Sequence, residues 1–116
     1  MGMPRAGIRS VLNEHVTILD NWTDQNGRWG IFSGFSDDLL IEGNLCTGSV
    51  LEHGIYVSNS GDRPIIRGNA LFDNIANGIH LNGDVSQGGD GVISGALIDG
   101  NEITRNADEE NPAYMV

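Results

Sequence analysis

The alternation of hydrophobic and polar residues repeats along the chain about every 24 residues. Each repeat opens with a Gly-Ile pair, and the four pairs begin at Gly7, Gly30, Gly54 and Gly78. Further along, an apolar triplet precedes a polar residue, a Gly and an Asn, as in residues 39–44, 64–69 and 96–101. A fixed period of this length indicates structural repeats that stack on one another.

Aligned repeats define columns of residues on short strands, because successive side chains of a strand point to opposite faces. The first strand has two inward columns, which are Ile8, Ile31, Ile55, Ile79 and, two residues on, Ser10, Ser33, Val57, Leu81. Between them lies an outward column of Arg9, Phe32, Tyr56 and His80. The second strand carries Ile18, Ile41, Ile66 and Ile98, and the third carries Thr23, Cys46, Leu71 and Ile103. The alignment predicts that Ile31, Ile41, Ile55, Ile66 and Leu71 are nearly fully buried.

The repeats predict an all-β solenoid. No stretch has a convincing period of 3.6 residues, so helices should be absent or marginal. Three short strands per repeat are typical of a parallel β-helix, in which each coil pairs with the next. Residues 1–116 are predicted to form one domain, with repeats at about 7–29, 30–53, 54–77 and 78–106 and a C-terminal tail at 107–116. The last repeat is longer, and its extra residues, 83–91, should emerge as a loop.

Two columns of mainly Asn residues follow the second and third strands. Their members are Asn21, Asn44, Asn69, Asn101 and Asn26, Ser49, Asn74, Asn106. Asn tolerates left-handed backbone torsions and can bond its own backbone in a turn. At the spacing of about 4.8 Å between coils, one Asn side chain can also bond the next. We therefore predict that these columns form structural ladders.

The motifs Gly-Ile-x-Val and Ile-x-Gly-Asn-x-Leu resemble the repeats of right-handed parallel β-helix proteins of the pectate-lyase-like superfamily. The resemblance covers residues 7–106. It implies a short right-handed parallel β-helix of about four coils, with three short strands per coil. It does not imply a particular activity, because these repeats encode stacking. A left-handed β-helix would need a hexapeptide period, which the chain lacks.

Composition and charge exclude several classes of partner. The chain has 116 residues, a net charge of −10, six arginines and no lysine. Nucleic acids and anionic membranes are not expected as partners, because both are bound through clusters of Lys and Arg. One cysteine, Cys46, allows no internal disulfide, and its inward column predicts a small core residue. The sequence predicts no signal peptide and leaves the compartment open, although members of the resembled superfamily are often secreted.

The outward column suggests a surface for sugar binding. Exposed aromatic side chains on a rigid sheet can stack on sugar rings, and Phe32, Tyr56 and His80 form such a row. In the resembled superfamily, sugar chains often lie along an outer sheet face. The alternative is that the column only stabilises stacking through cross-strand pairs. His53, which precedes Gly54, is predicted to be a residue at the edge of a turn.

Carboxylates near the predicted loop suggest a second kind of site. Asp84 and Asp90 share the loop, and His80 lies just before it. Two carboxylates could hydrolyse a glycosidic bond or hold Ca²⁺, and the alternative is that they are ordinary turn residues. Asp37 and Asp38 resemble the paired aspartates of polygalacturonases, but the Gly-His-Gly of that branch is missing and the role is not transferred. No cofactor is expected, with Ca²⁺ the one ion that the sequence leaves open.

Three classes of function remain after the sequence analysis. We predict a non-catalytic β-helix module that binds an oligosaccharide or polysaccharide on an outer sheet face. The alternatives are a glycoside hydrolase or polysaccharide lyase, whole or a fragment, and a purely structural or assembly module. A lyase would need a base such as His80, because arginine is a poor base at its usual pKa.

The coil ends predict self-association. A bare coil exposes unpaired backbone groups and apolar side chains. The acidic tail 107–116, with its apolar end, could cover the last coil, whereas only six residues precede Gly7. We therefore predict a homo-oligomer through the uncapped N-terminal coil, most simply a two-fold dimer.

Overall fold

The computed structural model describes residues 5–107 and consists of short β-strands. The strands of the first two coils are β1 (Ala6–Val11), β2 (Thr17–Leu19), β3 (Trp22–Asp24), β4 (Trp29–Gly34), β5 (Leu40–Glu42) and β6 (Leu45–Thr47). Those of the last two are β7 (Ile55–Asn59), β8 (Gly61–Asp62), β9 (Ile65–Arg67), β10 (Ala70–Phe72), β11 (Ile79–Gly83), β12 (Ile93–Ser94), β13 (Leu97–Asp99) and β14 (Glu102–Thr104). A single 3-10 turn at Val85–Gln87 is the sole helical element within this range, and no described helix could span a membrane.

The strands stack into three parallel sheets, each with one strand from every coil. Their orders are β1-β4-β7-β11, β2-β5-β9-β13 and β3-β6-β10-β14. The fold is therefore the short right-handed parallel β-helix that the repeats predict, with four coils. A small departure from three strands per coil occurs in the last two coils, where β8 and β12 add a two-stranded sheet.

The predicted register is confirmed residue by residue. Ile31 pairs with Ile8 and Ile55, and Ile41 pairs with Ile18 and Ile66. The outward column also aligns, since Phe32 pairs with Arg9 and Tyr56, and Tyr56 pairs with His80. The five residues that the alignment predicts as core, namely Ile31, Ile41, Ile55, Ile66 and Leu71, all have a solvent exposure of 0%. The core therefore fills the inside of the coils with stacked aliphatic side chains.

The Asn columns form the predicted ladders, and every hydrogen bond from a backbone N–H to an Asn Oδ1 runs from one coil to the following coil. The backbone N–H of Asn44 donates to Oδ1 of Asn69 (2.9 Å), and the N–H of Asn69 donates to Oδ1 of Asn101 (3.0 Å). The Nδ2 group of Asn69 donates to the carbonyl of Ile41 (3.0 Å), which fixes the side chain under the turn. In the second ladder, the N–H of Ser49 donates to Oδ1 of Asn74 in the same direction.

The left-handed residue at each turn is not the Asn but the residue before it. Asp20, Gly43, Gly68 and Gly100 have φ values of 55°, 68°, 64° and 63°. Glycine has no Cβ penalty in this region, and Asp tolerates it. The sequence predicts a tight bend at these same positions, where Gly, or Asp in the first repeat, precedes the Asn, and the Asn side chains act through hydrogen bonds.

The two ends of the β-helix differ in how much apolar surface they expose. In the first coil, Ile18 is 5% exposed. In the last coil, Ile98 is 48% and Ile103 is 47% exposed, at positions that are fully buried one coil earlier. Met1–Pro4 and the predicted tail from Asp108 onward lie outside the described residues.

The long last repeat emerges between β11 and β12, as predicted. Asp84 caps the 3-10 turn by accepting hydrogen bonds from the N–H (2.9 Å) and hydroxyl (2.6 Å) of Ser86. The N–H of Gly91 donates to the hydroxyl of Ser60, which ties the loop to the third coil (3.1 Å). The loop is therefore held against the turn between β7 and β8.

Candidate functional site

The outward column becomes a continuous aromatic row on the first sheet. The rings of Phe32 and Tyr56 lie 5.7 Å apart, and those of Tyr56 and His80 lie 5.1 Å apart. Trp29, three residues before Phe32 on β4, stacks on Phe32 at 4.4 Å with an interplanar angle of 24°. Trp29 was not predicted as a site residue, because it lies outside the outward column of aligned positions. An aromatic residue at the start of the same strand was the available signal.

A cleft of about 380 Å³ lies beside this row and combines aromatic rings with polar side chains. Trp29, Phe32 and Tyr56 contribute its aromatic surface. The polar side chains around it are those of Arg28, Glu52, Ser58, Asn59, Asp84 and Gln87. We call this site the aromatic cleft.

Both walls of the aromatic cleft are held in place by the repeat architecture. Arg28 and Glu52 occupy the turns before β4 and β7, and their side chains lie 3.8 Å apart as an ion pair. Asp84 and Gln87 come from the inserted loop, which Ser60 anchors. The insertion therefore supplies one wall, in agreement with the rule that extra residues in a solenoid build a loop on one face.

Two histidines extend the row beyond the cleft and form a hydrogen-bonded pair. Nε2 of His53 lies 2.9 Å from Nδ1 of His80, and the backbone N–H of Asn77 donates to Nδ1 of His53 (3.1 Å). Because Nδ1 of His53 accepts, the proton of the neutral ring is on Nε2, which donates to His80. Nδ1 of His80 is then the acceptor of this hydrogen bond.

Burial, and then the neighbouring His80, lower the pKa of His53 to about 4. His53 lies at the edge of the turn before β7, its side chain is buried, and its ring lies 5.3 Å from that of Tyr56. The sequence did not reveal this contact, because His53 belongs to the Gly-preceding column and not to the outward column. His80 packs on Tyr56 and does not line the cleft.

The structure does not bring Asp84, Asp90 and His80 into one site. Asp84 lines the aromatic cleft, whereas Asp90 lines a separate cleft of about 310 Å³ with Asp37 and Asp62. Oδ1 of Asp90 accepts a hydrogen bond from the N–H of Val92 (2.9 Å), a turn contact. The hydroxyl and N–H of Ser86 lower the pKa of Asp84, opposite to the shift that a glycosidase acid needs.

The side chains of Asp37 and Asp38, the remaining candidate carboxylates, bind groups of the next coil. Oδ1 of Asp37 accepts a hydrogen bond from the N–H of Asp62 (2.8 Å). Asp38 pairs with Arg63, with Oδ1 2.7 Å from Nε, and this partner lowers the pKa of Asp38. Both carboxylates therefore form contacts between neighbouring coils.

Metal-binding side chains are scattered over the described part of the chain. Within residues 5–107, no group of three or more His, Cys, Asp or Glu side chains could hold a metal ion. Cys46 is buried in the core, and burial raises the pKa of its thiol to about 11. The ring nitrogens of His53 and His80 that face each other are 2.9 Å apart.

Stacked parallel coils with side-chain ladders define the class of this molecule, a parallel β-helix repeat protein. Residues 2–112 match the protein-family model described as "NosD: Periplasmic copper-binding protein (NosD)". This match spans most of the chain, so the chain belongs to the NosD family. Comparisons with the curated proteins and with the solved structures gave no match.

Proposed function

We propose that this β-helix is a non-catalytic module that binds a neutral oligosaccharide in the aromatic cleft. The observation that supports the proposal is the combination of Trp29, Phe32 and Tyr56 with planar polar side chains around one open cleft. Neither feature alone favours a sugar, because aromatic rows also stabilise sheets and polar rims surround most clefts.

Sugar chemistry fits the two kinds of surface. The C–H faces of a pyranose ring are apolar and pack on aromatic faces, which bring large contact area at a small cost in side-chain freedom. The hydroxyl groups are both donors and acceptors, so they can pair with amides, carboxylates and a guanidinium. Asn59, Gln87, Glu52 and Arg28 offer these groups at the cleft.

The net charge of −10 favours a neutral sugar over an acidic one. Like charges repel a polyanion over roughly a Debye length, about 10 Å at moderate salt. Arg28 is the one cation at the cleft, and Glu52 already faces it at 3.8 Å. A uronic-acid polymer would therefore gain little attraction at this site.

The family description also names copper, and the described residues do not fit a copper site. Two imidazoles meet at His53 and His80, without a third His, Cys or carboxylate that completes a metal-binding group within residues 5–107. Because Asn77 donates to Nδ1 of His53, Nε2 of that ring bears a hydrogen and offers no lone pair to a metal.

The first experiment measures binding of Tyr56→Ala and of the wild type to a panel of neutral and acidic oligosaccharides. Loss of one stacking ring should weaken binding to the preferred neutral sugar by at least about tenfold, which corresponds to about 1.4 kcal/mol. Phe72→Ala is the matched control, because Phe72 is a partly exposed aromatic residue on β10, outside the cleft. The control should keep the affinity of the wild type.

Product release is followed in the same wells to separate the classes of function. Binding without release supports the module, and release of shorter sugars would favour a hydrolase or lyase instead. If no sugar binds, or if both variants lose affinity equally, the proposal is wrong and the structural module becomes the better description. Unfolding midpoints of both variants show whether a loss of binding reflects a loss of folded protein.

A further inference from the structure

The aromatic side chains of the cleft can hold a sugar ring without choosing among sugars. Trp29, Phe32 and Tyr56 lie on β4 and β7 and line one side of the aromatic cleft. Stacking on them uses the apolar face of a ring, which many pyranoses share. Selection among sugars must therefore come from polar groups whose position and hydrogen-bonding character are both fixed.

Four of the polar side chains at the cleft do not meet both conditions. Asn59 and Gln87 carry amides, which offer a donor and an acceptor, so either can bond a hydroxyl group in more than one orientation. Arg28 and Glu52 face each other at 3.8 Å, so each is partly satisfied by the other. These side chains add affinity for hydroxyl groups in general and little preference for one of them.

Asp84 differs, because its carboxylate is held at one oxygen and open at the other. Oδ1 accepts hydrogen bonds from the hydroxyl (2.6 Å) and the N–H (2.9 Å) of Ser86. Within residues 5–107, these bonds all reach Oδ1 and none reaches Oδ2. The same hydroxyl and N–H lower the pKa of Asp84, so the group is ionised at neutral pH and can only accept hydrogen bonds.

The backbone of Asp84 is fixed as well. Its N–H donates to the carbonyl of Asn59 (2.9 Å), and the preceding residue, Gly83, pairs with Asn59 in the register of β7 and β11. Asp84 therefore stands where the insertion leaves a paired strand, and it is half-buried, whereas residues 85–90 are exposed. Groups carried by strands are positioned more precisely than groups on loops. The cleft thus has one acceptor of fixed place and fixed character.

We infer that Asp84 determines which sugar the cleft selects, by accepting a hydrogen bond from one hydroxyl group of the ring that stacks on the aromatic side chains. The inference rests on the proposed function and gives Asp84 a role other than that of a catalytic group or a Ca²⁺ ligand. An ionised acceptor forms a stronger bond with a hydroxyl than a neutral acceptor does. A sugar in which that hydroxyl is inverted, removed or methylated offers no proton there and leaves the carboxylate without a partner.

The cap allows one substitution to reverse the character of the open position. In Asp84→Asn, the N–H of Ser86 still needs an acceptor, so the amide oxygen stays at the cap and the amide nitrogen replaces Oδ2. Asp90→Asn is the matched control. Oδ1 of Asp90 accepts from the N–H of Val92, also two residues further on, but Asp90 lines the other cleft. Both substitutions remove one negative charge from the same loop.

Titrations followed by NMR of the ligand test the inference on the full chain. The probes are the methyl glycosides of glucose, mannose and galactose, with their monodeoxy and mono-O-methyl derivatives. The wild type should prefer a parent glycoside over its derivatives at one hydroxyl by about tenfold, and Asp90→Asn should keep that preference. Asp84→Asn should reduce it to about twofold or less, most clearly for the O-methyl derivative, whose oxygen can accept from an amide.

Asp84→Ser is the second variant, because Ser also caps a turn but leaves no acceptor in place of Oδ2. It should lose the preference as Asp84→Asn does. The inference is overturned if both variants keep the preference of the wild type, or if both lose affinity equally for parents and derivatives, which would make Asp84 only a support of the loop. Wild-type protein that binds none of these glycosides, or binds them without preference, also overturns it. The proposed function fails separately, when no member of the oligosaccharide panel binds.

Discussion

Replacement of Asn69 by Leu tests whether the ladder stabilises the fold. Asn69 is buried, and its side chain accepts from the N–H (2.9 Å) and Nδ2 (3.1 Å) of Asn44. It also donates to the carbonyl of Ile41 and to Oδ1 of Asn101. Leu has a similar branched shape, so the change removes these bonds while it keeps water out of the site.

The expected loss follows from the groups that remain without partners. The buried N–H of Asn44 loses its acceptor, which costs about 1–3 kcal/mol, and the bond lost at the carbonyl of Ile41 adds about 1 kcal/mol. Nδ2 of Asn44 keeps two carbonyl acceptors, so it adds little. The apolar surface of Leu offsets part of the cost. We expect a net loss of about 2 kcal/mol in the free energy of unfolding.

Asn21→Leu is the matched control at the first coil. The Nδ2 group of Asn21 donates to the carbonyl of Leu19 at an exposed turn. The substitution removes this Nδ2 group, but the backbone N–H at position 21 still donates to Oδ1 of Asn44. This variant should lose less than about 1 kcal/mol. Urea unfolding followed by far-UV circular dichroism measures both, provided that the m-values agree. Equal losses in the two variants would refute the view that buried ladder bonds stabilise the coils.

Two further predictions concern the core and the buried histidine. Ile66→Ala should lower the free energy of unfolding by about 2–5 kcal/mol. Ile98 lies in the same column but is half exposed, so Ile98→Ala should lower it by only about 1 kcal/mol. Equal losses in the two variants would contradict the register. Because the pKa of His53 falls from 6.5 to about 4 on folding, stability should be complete above about pH 6.5 and decline toward pH 4, by about 2–3 kcal/mol. His53→Asn, whose Oδ1 can accept from Asn77, should flatten this slope, and an unchanged slope would assign it to other groups.

The sequence could predict the fold in detail because the repeats constrain every coil in the same way. A period of about 24 residues fixes which residues pair, and alternation fixes which face is inside. Ile31, Ile55 and Ile66 are fully buried as predicted, and the inserted loop emerges where the period breaks. A one-residue error would have turned these side chains outward. Agreement across the columns therefore reflects the stacking constraint itself.

Local backbone chemistry was harder to predict, because stacking overrides intrinsic preference. The left-handed residues before the second Asn column are Gln25, Gly48, Asp73 and Arg105, and only one of them is Gly. Each coil must turn at this place to keep the strands in register, so the tertiary structure imposes a torsion that Gln and Arg rarely adopt. The residue type at this position did not reveal the constraint in most repeats, although Gly48 in the second repeat indicated it.

Only part of the candidate site could be predicted from the sequence, because several of its residues occupy positions that have no counterpart in the other repeats. Phe32 and Tyr56 lie in an aligned column, but Trp29, Asp84 and Gln87 complete the aromatic cleft from a strand start and from the insertion. His53 reaches His80 from the neighbouring coil through side-chain packing that alternation does not describe. Contacts between columns depend on how side chains pack in three dimensions, whereas contacts within a column follow from the period of the sequence.

The same division explains why membership of the NosD family specifies the fold more strongly than the ligand. Inward aliphatic columns and Asn ladders are fully used in stacking, so any chain that keeps them keeps the β-helix. Outward side chains and the insertion lie outside this buried core, so the inward pattern of the repeats does not specify them. In residues 5–107 those free positions assemble an aromatic cleft and no group of three metal-binding side chains. The ligand of this chain should therefore be sought at Trp29, Phe32 and Tyr56, where the outward positions converge.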